Sequence, residues 1–122
     1  MPLLSKSKFL TESKTITSLL PNGDADLIYT CPNNYSAIVK FLHLSSGIAN
    51  NKKAYIQFYH SDDNTYHHIV NGLVMGANTA TDLVSGSQLY MHQGDKLLAY
   101  IEATMSLDVT ISLEEYYDPL RG

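Results

Sequence analysis

Punctuation constrains this chain more than any other feature. From Ser13 onward, short segments rich in Ile, Val, Thr and Tyr are closed by clusters of Asn, Gly, Asp and Pro. The clusters fall at Pro21-Asn22-Gly23, Pro32-Asn33-Asn34, Asn50-Asn51, Asp62-Asp63-Asn64, Gly76 to Asn78, Ser85-Gly86 and Gly94-Asp95. β-Branched and aromatic side chains suit a pleated, half-buried surface, and the breakers supply turn conformations, so strands are expected and helix signals are scarce. The expected strands are 14–20, 26–30, 36–45, 53–60, 65–71, 82–84, 87–91, 96–103 and 107–115. This spacing predicts an all-β fold: a single antiparallel β-sandwich, jelly-roll or Greek-key like, of about eight short strands. The opening MPLLSKSKFLTE keeps neither a two-residue nor a 3.6-residue apolar rhythm. It reads as an extended N-terminal arm at 1–12, ahead of a sandwich domain at 13–118 and a C-terminal tail at 119–122.

Alternation assigns faces. Leu107, Val109, Ile111 and Leu113 point one way and Asp108, Thr110, Ser112 and Glu114 the other, so one face meets a core and the other water. In 96–103, Leu97, Ala99, Ile101 and Ala103 share a side, with Leu98, Tyr100 and Glu102 opposite. Segment 36–45 is apolar on both sides. Ala37, Val39 and Phe41 share one face, and Ile38, Leu42 and Leu44 share the other beside Lys40. A sandwich buries one face of each strand, so the second apolar face calls for cover from an arm or from a neighbouring subunit.

At 122 residues and 44% hydrophobic, the chain fits one compact domain whose modest core favours oligomerisation. Eight basic residues against twelve acidic, for a net charge of −4, leave no grip on nucleic acid. No run approaches the ~18 apolar residues of a membrane span, and Met1 to Lys14 lacks the apolar centre of a signal peptide. A soluble, unprocessed chain is expected. The single cysteine, Cys31, allows no internal disulfide and no Cys-based zinc framework, which suits a reducing cytosol.

His60, Asp62, Asp63, His67 and His68 carry metal-ligating groups. Adjacent strand residues project to opposite faces, however, so His67 and His68 do not chelate together, and no metal is expected. A four-residue hairpin loop at 61–64 sets Tyr59 opposite Tyr66, Phe58 opposite His67 and Gln57 opposite His68. That places His67 on the core side with Ile56, Phe58 and Ile69. It gathers Tyr55, Gln57, Tyr59, Tyr66 and His68 into an outward patch. Such a patch serves cross-strand pairing, a protein interface or the stacking of a sugar ring. Carboxylates at Asp24, Asp26, Glu102, Asp108, Glu114 and Glu115 lie in turns or on polar sides, so they read as a solvated acidic face without the burial that general acid–base work requires. No Gly-x-Ser-x-Gly elbow or phosphate-cradling loop is present, and Cys31 has no orienting histidine nearby in sequence. No catalytic residue and no cofactor is expected.

Phe9-Leu-Thr-Glu-Ser-Lys-Thr-Ile16, Leu27-Ile-Tyr-Thr-Cys-Pro-Asn-Asn-Tyr-Ser-Ala-Ile-Val39, Gly94-Asp95-Lys96-Leu97 and Leu107-Asp-Val-Thr-Ile-Ser-Leu-Glu114 form a pattern. A strand ends in Tyr-Thr-x-Pro-x-Asn, a second strand opens on a small residue, and a Gly-Asp turn precedes an alternating final strand. Over residues 9–115 the chain resembles the small β-sandwich virion proteins of tailed bacteriophages, although its Tyr55 to His68 stretch and the Cys31 before Pro32 depart from their plainer aliphatic versions. The resemblance implies a non-enzymatic structural part of a virion, assembled in the host cytoplasm as a tail or neck accessory or a capsid decoration. It implies a homo-oligomer, taken as a trimer, docked on other virion proteins. In this picture the arm of residues 1–12 lies across a neighbour, Tyr55, Gln57, Tyr59, Tyr66 and His68 or Ile38, Leu42 and Leu44 form the interface, and the acidic C-terminal end stays outward. The alternative is a host-attachment module binding a glycan through Tyr55, Tyr59, Tyr66 and His68.

Overall fold

The structure, a computed structural model, describes residues 7–46, 52–76, 79–82, 89–103 and 107–117. Among these described residues, nine strands follow in order: β1 (Ser7–Ile16), β2 (Asp26–Thr30), β3 (Tyr35–Ser46), β4 (Lys52–His60), β5 (Thr65–Met75), β6 (Thr79–Asp82), β7 (Leu89–Met91), β8 (Lys96–Ile101) and β9 (Leu107–Tyr117). The one helical element among the described residues is a 3-10 turn at Asn22–Asp24. All ladders are antiparallel. The first sheet runs β1-β9-β3-β6, with β7 also on β3, and the second runs β2-β8-β4-β5. β6 and β7 together fill one strand position, and apart from the β4–β5 hairpin, which stays in the second sheet, consecutive strands cross between the sheets in the way a jelly roll of two Greek keys requires.

The core is the space between the sheets. Ala37, Val39, Leu42, Leu44, Leu107, Val109, Ile111 and Leu113 of the first sheet meet Ile28, Ala54, Ile56, Leu97, Ala99 and Ile101 of the second, with Met75 and Met91 at the margins. The alternation of 107–113 and of 97–101 therefore describes their inward faces correctly.

β3 departs from its expected faces. Its ladder with β9 slips between Val39 and Phe41, so Lys40 is an extra, bulged residue. A bulge adds one residue and reverses the parity of everything after it. Ala37 and Val39 point inward before it, and Leu42 and Leu44 point inward after it, all fully buried. Leu42 and Leu44 are thus core residues and not an interface, while Ile38 and Phe41 stay partly exposed on the outer face. The segment has one apolar face, and the need for outside cover at Leu42 and Leu44 disappears.

The start of the domain also differs. β1 begins at Ser7 and pairs with β9 along its whole length, so half of the expected arm is an edge strand. Its inward side reads Lys8, Leu10, Glu12, Lys14, Ile16, and the charges at 12 and 14 break the apolar rhythm that marks a strand. The strand ends at Ile16 rather than residue 20 because Asp26 captures the next two backbone amides, Thr17 N–H at 2.6 Å and Ser18 N–H at 3.0 Å, as the chain crosses between sheets. Residues 1–6 of the arm and 119–122 of the tail lie outside the described residues. No helix among the described residues is long and apolar enough to cross a membrane.

Candidate functional site

The β4–β5 hairpin turns at 61–64 and pairs Tyr59 with Tyr66, Phe58 with His67 and Gln57 with His68. Beyond that, β5 carries two bulges, since Ile56 pairs with Val70 and Ala54 with Leu73, leaving Ile69 and Gly72 unmatched. β8 flanks β4 on the other side, pairing Tyr100 with Tyr55 and Lys96 with Tyr59. Side chains from all three strands make the outer face of the second sheet.

Two aromatic clusters occupy that face. In one, the Tyr55 and Tyr100 rings stack with centroids 4.5 Å apart. The His68 ring is steeply inclined to both, at 68°, and shares a 2.7 Å hydrogen bond between its Nε2 and the Tyr100 hydroxyl. Partial burial and the neighbouring Tyr55 push the Tyr100 hydroxyl pKa up, so it holds its proton. In the other, Tyr59 and Tyr66 lie 4.8 Å apart, Tyr59 donates to Asn64 Oδ1, and the Lys96 ammonium sits 5.1 Å from the Tyr59 ring centre.

Gln57 separates the clusters and is not part of the exposed patch. It is buried under the Asn22–Asp24 turn, accepting from Asn22 N–H at 2.7 Å and donating to Asn22 Oδ1 at 3.0 Å. The β1–β2 connection thus lies across this face and satisfies the amide that the sheet turns outward. Tyr100 joins the site without having been singled out from sequence. Its outward parity in 96–103 was a usable signal, but its contact with Tyr55 depends on a pairing of strands distant in sequence.

The histidines separate. His67 shares the face of Phe58, as its pairing requires, but lies at the end of the hairpin where it is exposed and not in the core: its Nε2 hydrogen-bonds Thr65 Oγ1 at 2.8 Å, and that hydroxyl donates to Asp63 at 2.6 Å. The Thr65 hydrogen bond, helped by His60 with Nδ1 at 3.4 Å, holds the Asp63 carboxyl below its usual pKa. Among the described residues, no three His, Cys, Asp or Glu side chains form a set able to hold a metal ion.

Most of the candidate carboxylates are tied to local structure. Asp26 accepts the two backbone amides named above, Glu102 accepts from Lys53 N–H at 2.9 Å, and Asp108 accepts from the Thr15 hydroxyl at 2.6 Å. Glu114 pairs with Lys40 at 3.4 Å. Glu115 overturns the expectation of a solvated C-terminal acidic face: it is only 4% exposed. It follows the inward parity of Leu113, accepts from the Tyr29 hydroxyl and lies 3.6 Å from the Lys8 ammonium. Burial is the main cause that pushes the Tyr29 hydroxyl pKa up, and it also pushes the Cys31 thiol from 9.0 up to about 11. A protonated, buried thiol is a poor nucleophile.

One end of the sandwich is locked by Asp95. Its buried carboxylate accepts from Ser61 N–H (3.0 Å), Ser61 Oγ (2.9 Å) and His92 N–H (2.9 Å), joining the β4–β5 and β7–β8 loops. Backbone bonds from Cys31 N–H to Asp95 O and from Gly94 N–H to Cys31 O, both 2.9 Å, add the β2–β3 loop. An open depression of about 430 Å³ lies beside this junction, lined by Asn33, Ser61, Asp62, His92, Gln93 and Gly94.

No known protein family and no curated protein matches this chain. Solved structures do match it. Over 93% of its length the chain superposes on a chain in the structure of infectious bursal disease virus, Gx strain, with a TM-score of 0.55 at 12% identity. Over 95% it superposes on a chain of T=1 particles derived from infectious bursal virus, with a TM-score of 0.56 at 11% identity. It also superposes over 93% of its length on a chain of the cyanophage Pam1 capsid asymmetric unit, covering 86% of that chain, with a TM-score of 0.51 at 14% identity. The chain spans about a third of the length of the two bursal virus chains, 33% in each case. The likeness is one of fold: these neighbours are virus-particle chains that share the jelly-roll arrangement.

Proposed function

We propose that the chain is a non-enzymatic structural subunit of a virion, a jelly roll that docks on copies of itself and on other particle proteins. The observation that carries this reading is the division of its surfaces. The apolar core is closed between the two sheets, while large apolar side chains stand exposed outside it, with Phe9 73% and Val74 53% exposed. The fold of the cyanophage capsid chain supports the same reading, and the tailed-phage resemblance of residues 9–115 favours a role as a capsid decoration or a tail or neck accessory. The interface residues that survive burial are Tyr55, Tyr59, Tyr66, His68 and Ile38, joined by Tyr100.

A glycan platform is the weaker use of this face. Stacking on a sugar needs an open ring face, yet Tyr55 and Tyr100 cover one face of each other and Lys96 sits over Tyr59. The test is binding of the purified chain to structural proteins of the same particle, run beside a glycan array. The expected result is a specific complex weakened by Tyr55→Ala and Tyr59→Ala, with a silent array. Glycan binding lost in Tyr59→Ala and Tyr66→Ala, with no particle-protein complex, would replace this reading by host attachment.

A further inference from the structure

The first sheet ends at β1. Its ten residues pair with β9 without a bulge, from Ser7 opposite Tyr116 to Ile16 opposite Leu107. They contain no proline, and among the described residues no strand pairs with the other side of β1. A long, straight, open edge presents a row of backbone N–H and C=O groups to any strand that matches it. Edges of this kind are commonly blunted by charges, and β1 does carry Lys8, Glu12 and Lys14 on its inward side. Lys8 is engaged by Glu115 at 3.6 Å. Glu12 and Lys14 are exposed, and no ion pair among the described residues uses either of them.

The placement of these two charges is specific. When two copies of one strand pair antiparallel about a two-fold axis, residues equidistant from the axis face each other, so self-complementarity needs opposite charges placed symmetrically about one residue. Glu12-Ser13-Lys14 meets that condition. An axis at Ser13 sets Glu12 of each copy opposite Lys14 of the other, with Thr11 opposite Thr15 and Leu10 opposite Ile16. The neighbouring registers conflict: an axis at Thr11 opposes Lys8 to Lys14, an axis at Glu12 opposes Glu12 to itself, and an axis at Lys14 opposes Lys14 to itself. An axis at Leu10 would need Lys8, which Glu115 already holds. Like charges directly opposite each other disfavour a sheet pair.

We propose that β1 is the docking edge for β1 of a second copy, antiparallel about a two-fold axis at Ser13, joining two first sheets into one continuous sheet. The inference deepens the particle-subunit reading and rests on it for its purpose. Backbone hydrogen bonds hold the two strands, and the reciprocal Glu12–Lys14 pairs select the register. In an assembly with another symmetry axis, this contact links oligomers into a larger array.

Charge exchange tests the register. By sedimentation velocity at low salt, the wild-type chain should form dimers. Glu12→Lys and Lys14→Glu should each weaken them by about tenfold, because two attractive pairs become two repulsive ones. The double variant should restore the dimer. An equimolar mixture of the two single variants should pair with each other more tightly than either pairs with itself. Both positions are exposed, so circular dichroism should report unchanged folding. A wild-type chain that stays monomeric at millimolar concentration overturns the proposal. So do single variants that associate as tightly as wild type, or a double variant and mixture that show no rescue. Dimers indifferent to the exchanges leave the particle reading standing, whereas absence of the chain from purified particles removes that reading whatever the dimer does.

Discussion

Cys31 and Tyr29 give the molecule an alkaline limit. Both sit under the sheet edge beside Glu115, and burial raises both pKa values. The unfolded chain releases the Cys31 proton near pH 9, while the folded chain holds it to about 11. Between those values the unfolded state carries fewer protons, so stability is fully present below pH 9 and falls as pH rises toward 11, by about 2 kcal/mol from this group. Thermal melts from pH 8 to 11 should show a midpoint that drops with pH, and less steeply in Cys31→Ala. At pH 7.5 iodoacetamide should modify Cys31 only as the chain unfolds. Two glycines also separate at this scale. Gly72 and Gly94 both have positive φ, +89° and +86°, but a Cβ at Gly72 meets only ordinary contacts, 3.5 Å from Lys53 Cδ at the nearest. A Cβ at Gly94 would sit 3.0 Å from Ser61 Cβ, in the junction that Asp95 closes. Gly94→Ala should therefore lower the melting temperature more than Gly72→Ala, whose cost is the roughly 1–2 kcal/mol of holding an L-residue in left-handed backbone alone.

At the scale of elements, what was legible in sequence depended on whether the information was local. The hairpin 59–66 was readable to the residue because its loop length and alternation determine its register over a few residues. The inward faces of β8 and β9 were readable for the same reason. Bulges were not: Lys40 looks like any polar strand residue, yet it reverses the faces of Leu42 and Leu44. β1 was hidden because Glu12 and Lys14 occupy inward positions at an edge, where exposure lets charge replace the apolar residues expected there. The stacking of Tyr55 on Tyr100 and the burial of Gln57 under Asn22 required long-range pairings that periodicity does not encode. The burial of Glu115 was available from parity, since it continues the series Leu107 to Leu113. Truncation separates the two faces of β3. Leu42→Ala and Leu44→Ala should each cost about 2–5 kcal/mol, as cavities in a closed core do, whereas Ile38→Ala should cost about 1 kcal/mol or less. Urea unfolding of the three variants measures it, and equal costs at all three positions would contradict the bulge.

At the scale of the whole molecule, the proposed role is that of a part covered by its neighbours. Its chemistry-bearing side chains are committed to structure: Asp26 and Asp95 tie loops, Glu115 joins β9 to Tyr29 and Lys8, and His68 rests on Tyr100. Under the proposals made above, its outer faces and its β1 edge are the surfaces that other chains would cover. The measurement that tests this most directly is the copy number of the chain in purified virus particles, by quantitative mass spectrometry across a density gradient. The chain should band with the particles at tens of copies or more, in fixed ratio to the other structural proteins. A chain abundant in the infected-cell lysate but absent from the banded particles would contradict it.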